Sequence, residues 1–499
     1  MGRRERVRSG MVWTILGYLV NAVYGFISVP ILINYFGKSN YGLIGLAMSV
    51  NVYLALMDMG LTATSIRYFS NWLAKGEKEN IRKLFQTNLA FYGMVGIINA
   101  IVLLVVANFG DSLFNVEPTQ VPILRNLMYI LALNAIISWY TSSFNQLIQG
   151  DEYVGWSQKI SLLPKLMQLL ILYLTVTVHF SIELYYILTL FSVAFVTVPM
   201  MINKINKICP YVSFIPKFDK RTFLEIFPYS ISIFSINIFQ YSAQNLRPIF
   251  LGMRCPVETV TDYRIIFALS NIVAMIGAVF YGAMLPTVSK AVANKEEALL
   301  NKIIYQGTLF VTIFLGLLNF GLMSIIPELL EVYVGESFLF LIPWVDLCLI
   351  ANMGSHNQAI SSVIFAGTNF KPVTYFTIVS CIVSLLVCWF TIPYFQVGGV
   401  VFSVVAYGVF QLGFLYLYYW PQKMGISSKR VLFKTLIPVI IVGGSFTYIL
   451  RHIHIVENLY MEIIVKSAIF SIAYLLIMWF YVSKSDRKEI LKLAKINKG

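Results

Sequence analysis

The sequence predicts an all-α integral membrane protein of fourteen transmembrane helices, arranged as two six-helix lobes followed by two C-terminal helices. Three observations predict it. Of 499 residues 58% are hydrophobic and only 12% charged, and the mean hydropathy is +0.75, far outside the range of soluble domains. Apolar runs of about 20 residues, each enough to cross roughly 30 Å of hydrocarbon as a helix, recur from end to end. Lys and Arg alternate between loops in a way that fits an even number of crossings.

The runs fall at residues 11–34, 42–65, 84–108, 122–148, 157–178, 181–203, 226–252, 260–286, 303–326, 339–366, 372–393, 398–420, 432–450 and 460–482. The first is too long, and too poor in small-residue cleavage sites, to read as a signal peptide, so it counts as a span. With the N-terminus inside, 29 of the 37 Lys and Arg lie in inner segments and six in outer ones, with Lys165 and Lys466 inside spans. Both termini are therefore expected on the cytoplasmic side. The net charge of +14 is mostly this topology signal and does not point to nucleic acid.

The longest basic connection, 203–222, separates spans six and seven. "RYFSNWLAKGEKENIRKLFQ" after span two resembles "TVSKAVANKEEALLNKIIYQ" after span eight, at an offset of about 220 residues. This repeat gives lobes at 1–210 and 211–422, with helices thirteen and fourteen and a basic cytoplasmic tail in 423–499. Parallel halves of this kind are a transporter architecture, with the substrate path at their interface.

Polar residues inside the spans line up. Asn237, Gln240, Gln244 and Arg247 share one face of span seven. Asn51, Asp58, Thr62 and Ser65 stack on span two, Arg264 and Asn271 on span eight, and Gly17, Asn21, Tyr24 and Ser28 on span one. Such stripes face lipid only at high cost, so they read either as the lining of a wet cavity or as interhelical packing. Three of them carry a full charge, which favours the cavity.

Asp58 is placed on the cavity stripe, with Arg67 nine residues on. In a continuous helix that is about 13.5 Å of rise, on opposite faces. Arg67 either snorkels to headgroups or meets an incoming anion. Lys165, just after Pro164 near the middle of span five, is the strongest candidate for a functional cation, since an unpaired ammonium there costs at least ~2.5 kcal/mol. The alternative is a pair with Asp58 or Asp346. Asp58, Asp346 and His356 are candidates for ion coupling. Tyr18, Tyr24, Tyr241 and Tyr281 are candidates for stacking on sugars.

Five cysteines and four histidines show no paired or metal-like spacing, so no disulfide or metal site is expected. No outer loop is large enough for the carboxylate or His and Arg constellation of a membrane glycosyltransferase or ligase, and no enzyme activity is expected.

"SVPILINYFGKSNYGL", "LMDMGLTATSIRYFS", "QLIQGDEYVGWS" and "AGTNFKP" resemble, in order and spacing, the polysaccharide transporter family. These are bacterial flippases for lipid-linked O-antigen, capsule or exopolysaccharide units, related to multidrug and toxic-compound extrusion (MATE) transporters and lipid II flippases. The resemblance covers nearly the whole chain. It implies a V-shaped cavity lined by helices one, two, seven and eight, and a polyprenyl-diphosphate sugar as substrate. It also implies a bacterial cytoplasmic membrane as the location and no cofactor, with coupling to Na+, H+ or the membrane potential, and a polysaccharide polymerase as an assembly partner.

Family members often carry an Asp-Arg pair late in helix seven and Val-Gly-x-Tyr at the start of helix eight. Here the matching positions hold Asn245 and Arg247, and "VTDY" with Thr261 and Asp262. The cation is kept and the carboxylate has moved, so the family's ion pair is not carried over. The expected cavity set is Lys165, Arg247, Arg264, Asp58, Asn21, Asn237, Gln240, Gln244 and Asn271. A drug or cation exporter of the MATE type shares the fold, but would be expected to show an acidic cavity.

Overall fold

A computed structural model describes residues 3–366, 371–484 and 487. Inside its helices the side chains of 3–11, 15, 18, 22, 232, 233, 236, 237, 275–287, 289 and 293 lie outside that description. The described residues are helical almost throughout and include no strand. Among the described residues twelve helices are long and apolar enough to cross a membrane. The expected spans seven and eight fall on the helices Lys220–Asn245 and Glu258–Ala293, of 26 and 36 residues. The "AGTNFKP" stretch falls largely on 367–370, outside the described residues.

The chain divides into two compact units, Met1–Arg264 with Cys388–Val400, and Ile265–Val387 with Val401–Gly499. In the first, the helices Arg3–Phe36 and Val154–Val178 pack side by side, as do Lys78–Asn108 and Val121–Gly150. Helix Lys38–Leu54 lies against the start of helix Glu258–Ala293 through two glycines. A Cβ on Gly42 would run into the backbone carbonyl of Val257, and one on Gly45 would come within 2.6 Å of Arg264 Cδ. Small residues let membrane helices approach this closely, replacing the hydrophobic drive that lipid removes.

Span two is not one helix, and this corrects the continuous stripe expected there. Helix Lys38–Leu54 tightens into a 3₁₀ turn at Ala55–Asp58. Met59 and Gly60 then take left-handed backbone, with φ of 49° and 75°, and helix Leu61–Lys75 restarts. A restarted helix exposes amide N–H groups at its first turn, and its positive end favours an anion. Asp58 meets both needs. It accepts the Thr62 N–H at 3.2 Å, the Thr62 hydroxyl at 2.6 Å and the Tyr92 hydroxyl at 2.6 Å. Gln146 Nε2 donates to the Tyr92 and Thr62 hydroxyls, and Asn88 Nδ2 donates to Gln146 Oε1 and Ser65. The carboxylate therefore anchors a buried polar network that ties three helices together.

Span seven is also interrupted. Helix Lys220–Asn245 ends before Leu246, and a short helix, Arg247–Arg254, follows with Pro248 in its first turn, where the missing N–H costs nothing. The start of helix Lys220–Asn245 is capped by Asp219, whose carboxyl is held below its ordinary value by hydrogen bonds from Thr222. Span ten breaks into helices Ile342–Asn352 and Gln358–Ala366 around a 3₁₀ turn that carries His356.

In the second unit, helix Thr308–Val334 packs against both C-terminal helices, Ile437–Arg451 and Leu459–Tyr481. The Thr447 hydroxyl donates to the Phe320 carbonyl, and the Tyr474 hydroxyl to that of Ile313.

Two outcomes test this packing. Gly42→Ala forces its methyl onto a backbone oxygen and should destabilise the protein by about 1–3 kcal/mol. Gly25→Ala, with nothing within 4 Å of the added carbon, should be neutral; unfolding midpoints of the purified variants compare them. Asp58→Ala leaves buried donors unanswered at about 1–3 kcal/mol and should lower the amount of folded protein in the membrane, measured by size-exclusion of detergent extracts. Normal yields of Asp58→Ala would show that the network does not hold the first unit together.

Candidate cation and tyrosine site

Lys165 sits one residue beyond Pro164, half-buried in helix Val154–Val178. Its ammonium donates to Gln168 Oε1 at 3.1 Å and lies 4.9 Å from the centre of the Tyr24 ring. Gln168 is oriented for this task, because its Nε2 donates to the Thr189 carbonyl of the neighbouring helix Ile182–Ile208. The alternative reading, a pair with a carboxylate, is not seen: Asp58 is held by Thr62 and Tyr92, and Asp346, in the other unit, is taken by Arg451. Among the described residues no carboxylate lies within ion-pair distance of it.

Arg264 answers it from another helix. Its guanidinium lies 4.9 Å from the centre of the Tyr41 ring, in the space that Gly45 leaves open. The Tyr24 and Tyr185 hydroxyls are 3.5 Å apart, and Tyr41, Tyr185 and Tyr186 all lie within electrostatic reach of Arg264. The buried Tyr186 hydroxyl has no hydrogen-bond partner among the described residues. Helices from spans one, two, five, six and eight thus bring two cations to one set of tyrosines, all within the first unit.

The nearby carboxylate does not neutralise this cluster. Asp262 is taken by Lys38, at 2.6 Å, and the adjacent Thr261 hydroxyl donates to the Lys38 carbonyl. No carboxylate among the described residues forms an ion pair with Arg264. Two cations left without acid partners in a low-dielectric site favour an anion with several acceptor oxygens. The tyrosine rings offer the cations a weaker attraction, of about 0.5–2 kcal/mol each.

The remaining expected residues lie as follows. Arg247 is buried at the first position of its short helix. Gln240 and Gln244 are exposed, Asn271 is half-buried, and the Asn237 side chain lies outside the described residues. Asn21 is exposed and donates to the Gly17 carbonyl of its own helix. The Tyr241 hydroxyl donates to the Val52 carbonyl; the side chains of Tyr18 and Tyr281 are outside the described residues. Arg67 stacks over Tyr229, 4.3 Å from its ring centre.

In the second unit, Asp346 is held by both terminal nitrogens of Arg451, at 2.6 Å each. His356 is fully buried with Nδ1 on the Met353 carbonyl and Nε2 on the Tyr416 hydroxyl. Both therefore have their interactions satisfied by the protein.

Sequence reasoning missed Tyr41, Tyr185, Tyr186 and Gln168. Only the i, i+3 spacing of Lys165 and Gln168 was available as a signal. It also missed a second buried cation site. Lys466 lies between Glu328 and Glu462, and its i, i+4 spacing from Glu462 announces a helical pair. Glu328, Glu462 and His454 place one donor atom each within 4.8 Å of one another, but the Lys466 ammonium already occupies the space against both carboxylates.

The polysaccharide biosynthesis protein family matches this chain over residues 7–292, more than half its length, a stretch that contains the whole cation and tyrosine cluster. No curated protein matches it significantly in sequence. Among solved structures it is similar to the lipid II flippase MurJ in an inward closed conformation, with a TM-score of 0.71 and 11% identity over 94% of this chain and 98% of that one. It is similar to an inward-facing MATE multidrug transporter of the MOP superfamily, with a TM-score of 0.59 and 13% identity over 81% of this chain and 96% of that one. The eukaryotic MATE transporter AtDTX14 gives a TM-score of 0.56 and 11% identity over 88% and 100%. At such identities the likeness speaks for the fold. This multi-pass membrane protein therefore belongs to the polysaccharide biosynthesis protein family and is built on the fold of the lipid II flippase and the MATE transporters.

Proposed function

We propose that the protein flips polyprenyl-diphosphate-linked oligosaccharide units from the inner to the outer leaflet of a bacterial cytoplasmic membrane, for assembly of O-antigen, capsule or exopolysaccharide. The observation that carries this reading is the pair of cations, Lys165 and Arg264, without acid partners beside tyrosines in the first unit. A diphosphate supplies the missing negative charge. Tyrosine rings and hydroxyls suit a sugar, which presents apolar faces and many hydroxyls. Arg247 is a third cation on the proposed path.

Transport would proceed by alternating access of this cationic cavity. With the cell interior negative, outward movement of each negative charge is favoured by ~2.3 kcal/mol per 100 mV. The potential alone can supply a drive, and coupling to Na+ or H+ would add to it. The Lys and Arg distribution supports cytoplasmic termini. A polysaccharide polymerase acting on the flipped unit is the natural partner. Export of cationic drugs, the second reading the fold allows, is disfavoured because such a substrate would meet two uncompensated positive charges.

The test is complementation of a strain lacking its own exporter, with surface polysaccharide and protein amount measured together. Each charge-to-amide change, Lys165→Gln or Arg264→Gln, removes charge-assisted hydrogen bonds of about 1.5–3 kcal/mol, so export should fall by roughly tenfold or more. Lipid-linked precursor should accumulate inside. Lys165→Arg keeps the charge and should retain part of the activity. Full surface polysaccharide from a normally expressed Lys165→Gln, Arg264→Gln double variant would sink the proposal.

A further inference from the structure

Lys165 and Lys466 both lie inside spans, and the residue one turn away on each helix treats them differently. Lys466 is fully buried, with its ammonium 2.6 Å from Glu328 Oε1 and 3.0 Å from Oε1 of Glu462 on its own helix. Its charge is answered. Lys165 is half-buried, and the residue one turn along its helix is Gln168, whose Oε1 accepts from the ammonium at 3.1 Å. An amide stands where an acid would neutralise the lysine.

Gln168 is only 5% exposed, and both ends of its side chain are in use. Oε1 faces the ammonium, a group that only donates, and Nε2 donates at 3.2 Å to the Thr189 carbonyl, a group that only accepts. This fixes which way the amide points, because a flipped amide would set donor against donor and acceptor against acceptor. The carbonyl belongs to another helix, Ile182–Ile208, and also accepts the Ser192 hydroxyl at 2.7 Å. A carboxylate at 168 would hold the ammonium but turn its second oxygen toward that carbonyl. The position is built for an amide. Of the three N–H groups of the ammonium, one goes to Gln168, and the Tyr24 ring, with its centre 4.9 Å away, covers another side. What remains is a donor that keeps its full charge.

We propose that Gln168 sets the charge selectivity of the site: it positions the Lys165 ammonium beside Tyr24 and leaves its positive charge unanswered, so that an anionic lipid headgroup is taken in preference to an uncharged one. This rests on the reading of Lys165 as a cation that recognises the substrate. Gln168 is a positioning residue and acts through Lys165. Exchanging its amide for an acid of the same size turns recognition off while the lysine is still present.

The experiment is equilibrium binding of geranylgeranyl diphosphate, and of uncharged geranylgeraniol, to the full-length protein in detergent, with the unfolding midpoint of each variant recorded. Lys165→Gln should weaken diphosphate binding by about tenfold or more, through loss of a charge-assisted hydrogen bond. Gln168→Glu should weaken it at least as much and leave geranylgeraniol binding unchanged. Gln168→Met, of similar length, releases the ammonium from its position and should cost several-fold. In the Lys165→Gln background the same change should cost nothing further, because it acts through the lysine. If Lys165→Gln binds the diphosphate as the wild type does, the substrate reading fails and this proposal with it. If Lys165→Gln is impaired but a folded Gln168→Glu or Gln168→Met binds as the wild type does, the proposal alone fails. A Gln168→Met loss of equal size in both backgrounds also overturns it, since Gln168 would then only join two helices. Gln168→Met and its double variant decide the matter if Gln168→Glu does not fold.

Discussion

A charge inside a membrane helix bundle has to be answered by another charge or by hydrogen bonds, and this chain answers most of its own. Asp58 is met by three donors at the start of a new helix. Asp262 is met by Lys38, Asp346 by Arg451, and Lys466 by Glu328 and Glu462. Each of these groups is spent on holding helices together. Lys165 and Arg264 differ in that their close neighbours are an amide and aromatic rings. The distinction between structural and available charge follows from geometry, and it marks Lys165 and Arg264 as a place in the first unit where an anionic ligand completes the electrostatics.

The Asp262–Lys38 pair shows how the site keeps its sign. A carboxylate two residues from Arg264 would be expected to neutralise it, yet Asp262 reaches to the residue that opens helix Lys38–Leu54. The same helix carries Tyr41 and Gly45, against which Arg264 packs. One short stretch, 38–45, thus removes the acid, supplies the ring and makes room for the guanidinium. Pairing the acid elsewhere leaves the arginine available.

Much of the fold was legible because a run of about 20 apolar residues is a one-dimensional signal, and loop charge adds orientation. The break at 55–60 was less so. The apolar run of span two continues on both sides of it, and Met59, which takes left-handed backbone there, is not a residue that announces it. The charge partnerships between distant helices were not legible at all. Asp346 and Arg451 are 105 residues apart, and Glu328 and Lys466 are 138 apart, so a single sequence has no means of pairing them. Lys165 and Lys466 look alike as lysines inside spans; burial against two carboxylates for one, and against an amide and a ring for the other, separates them.

The most direct measurement is leaflet exchange by the purified protein in lipid vesicles, using a fluorescent polyprenyl-diphosphate saccharide whose outer-leaflet fraction is read with a membrane-impermeant quencher. Wild-type protein should exchange the diphosphate-linked lipid, should handle an uncharged analogue of the same lipid poorly, and should lose the preference when Lys165 and Arg264 are both glutamine. Equal exchange of charged and uncharged lipids, or a preference that survives in the double variant, would contradict the view that these two cations recognise the substrate.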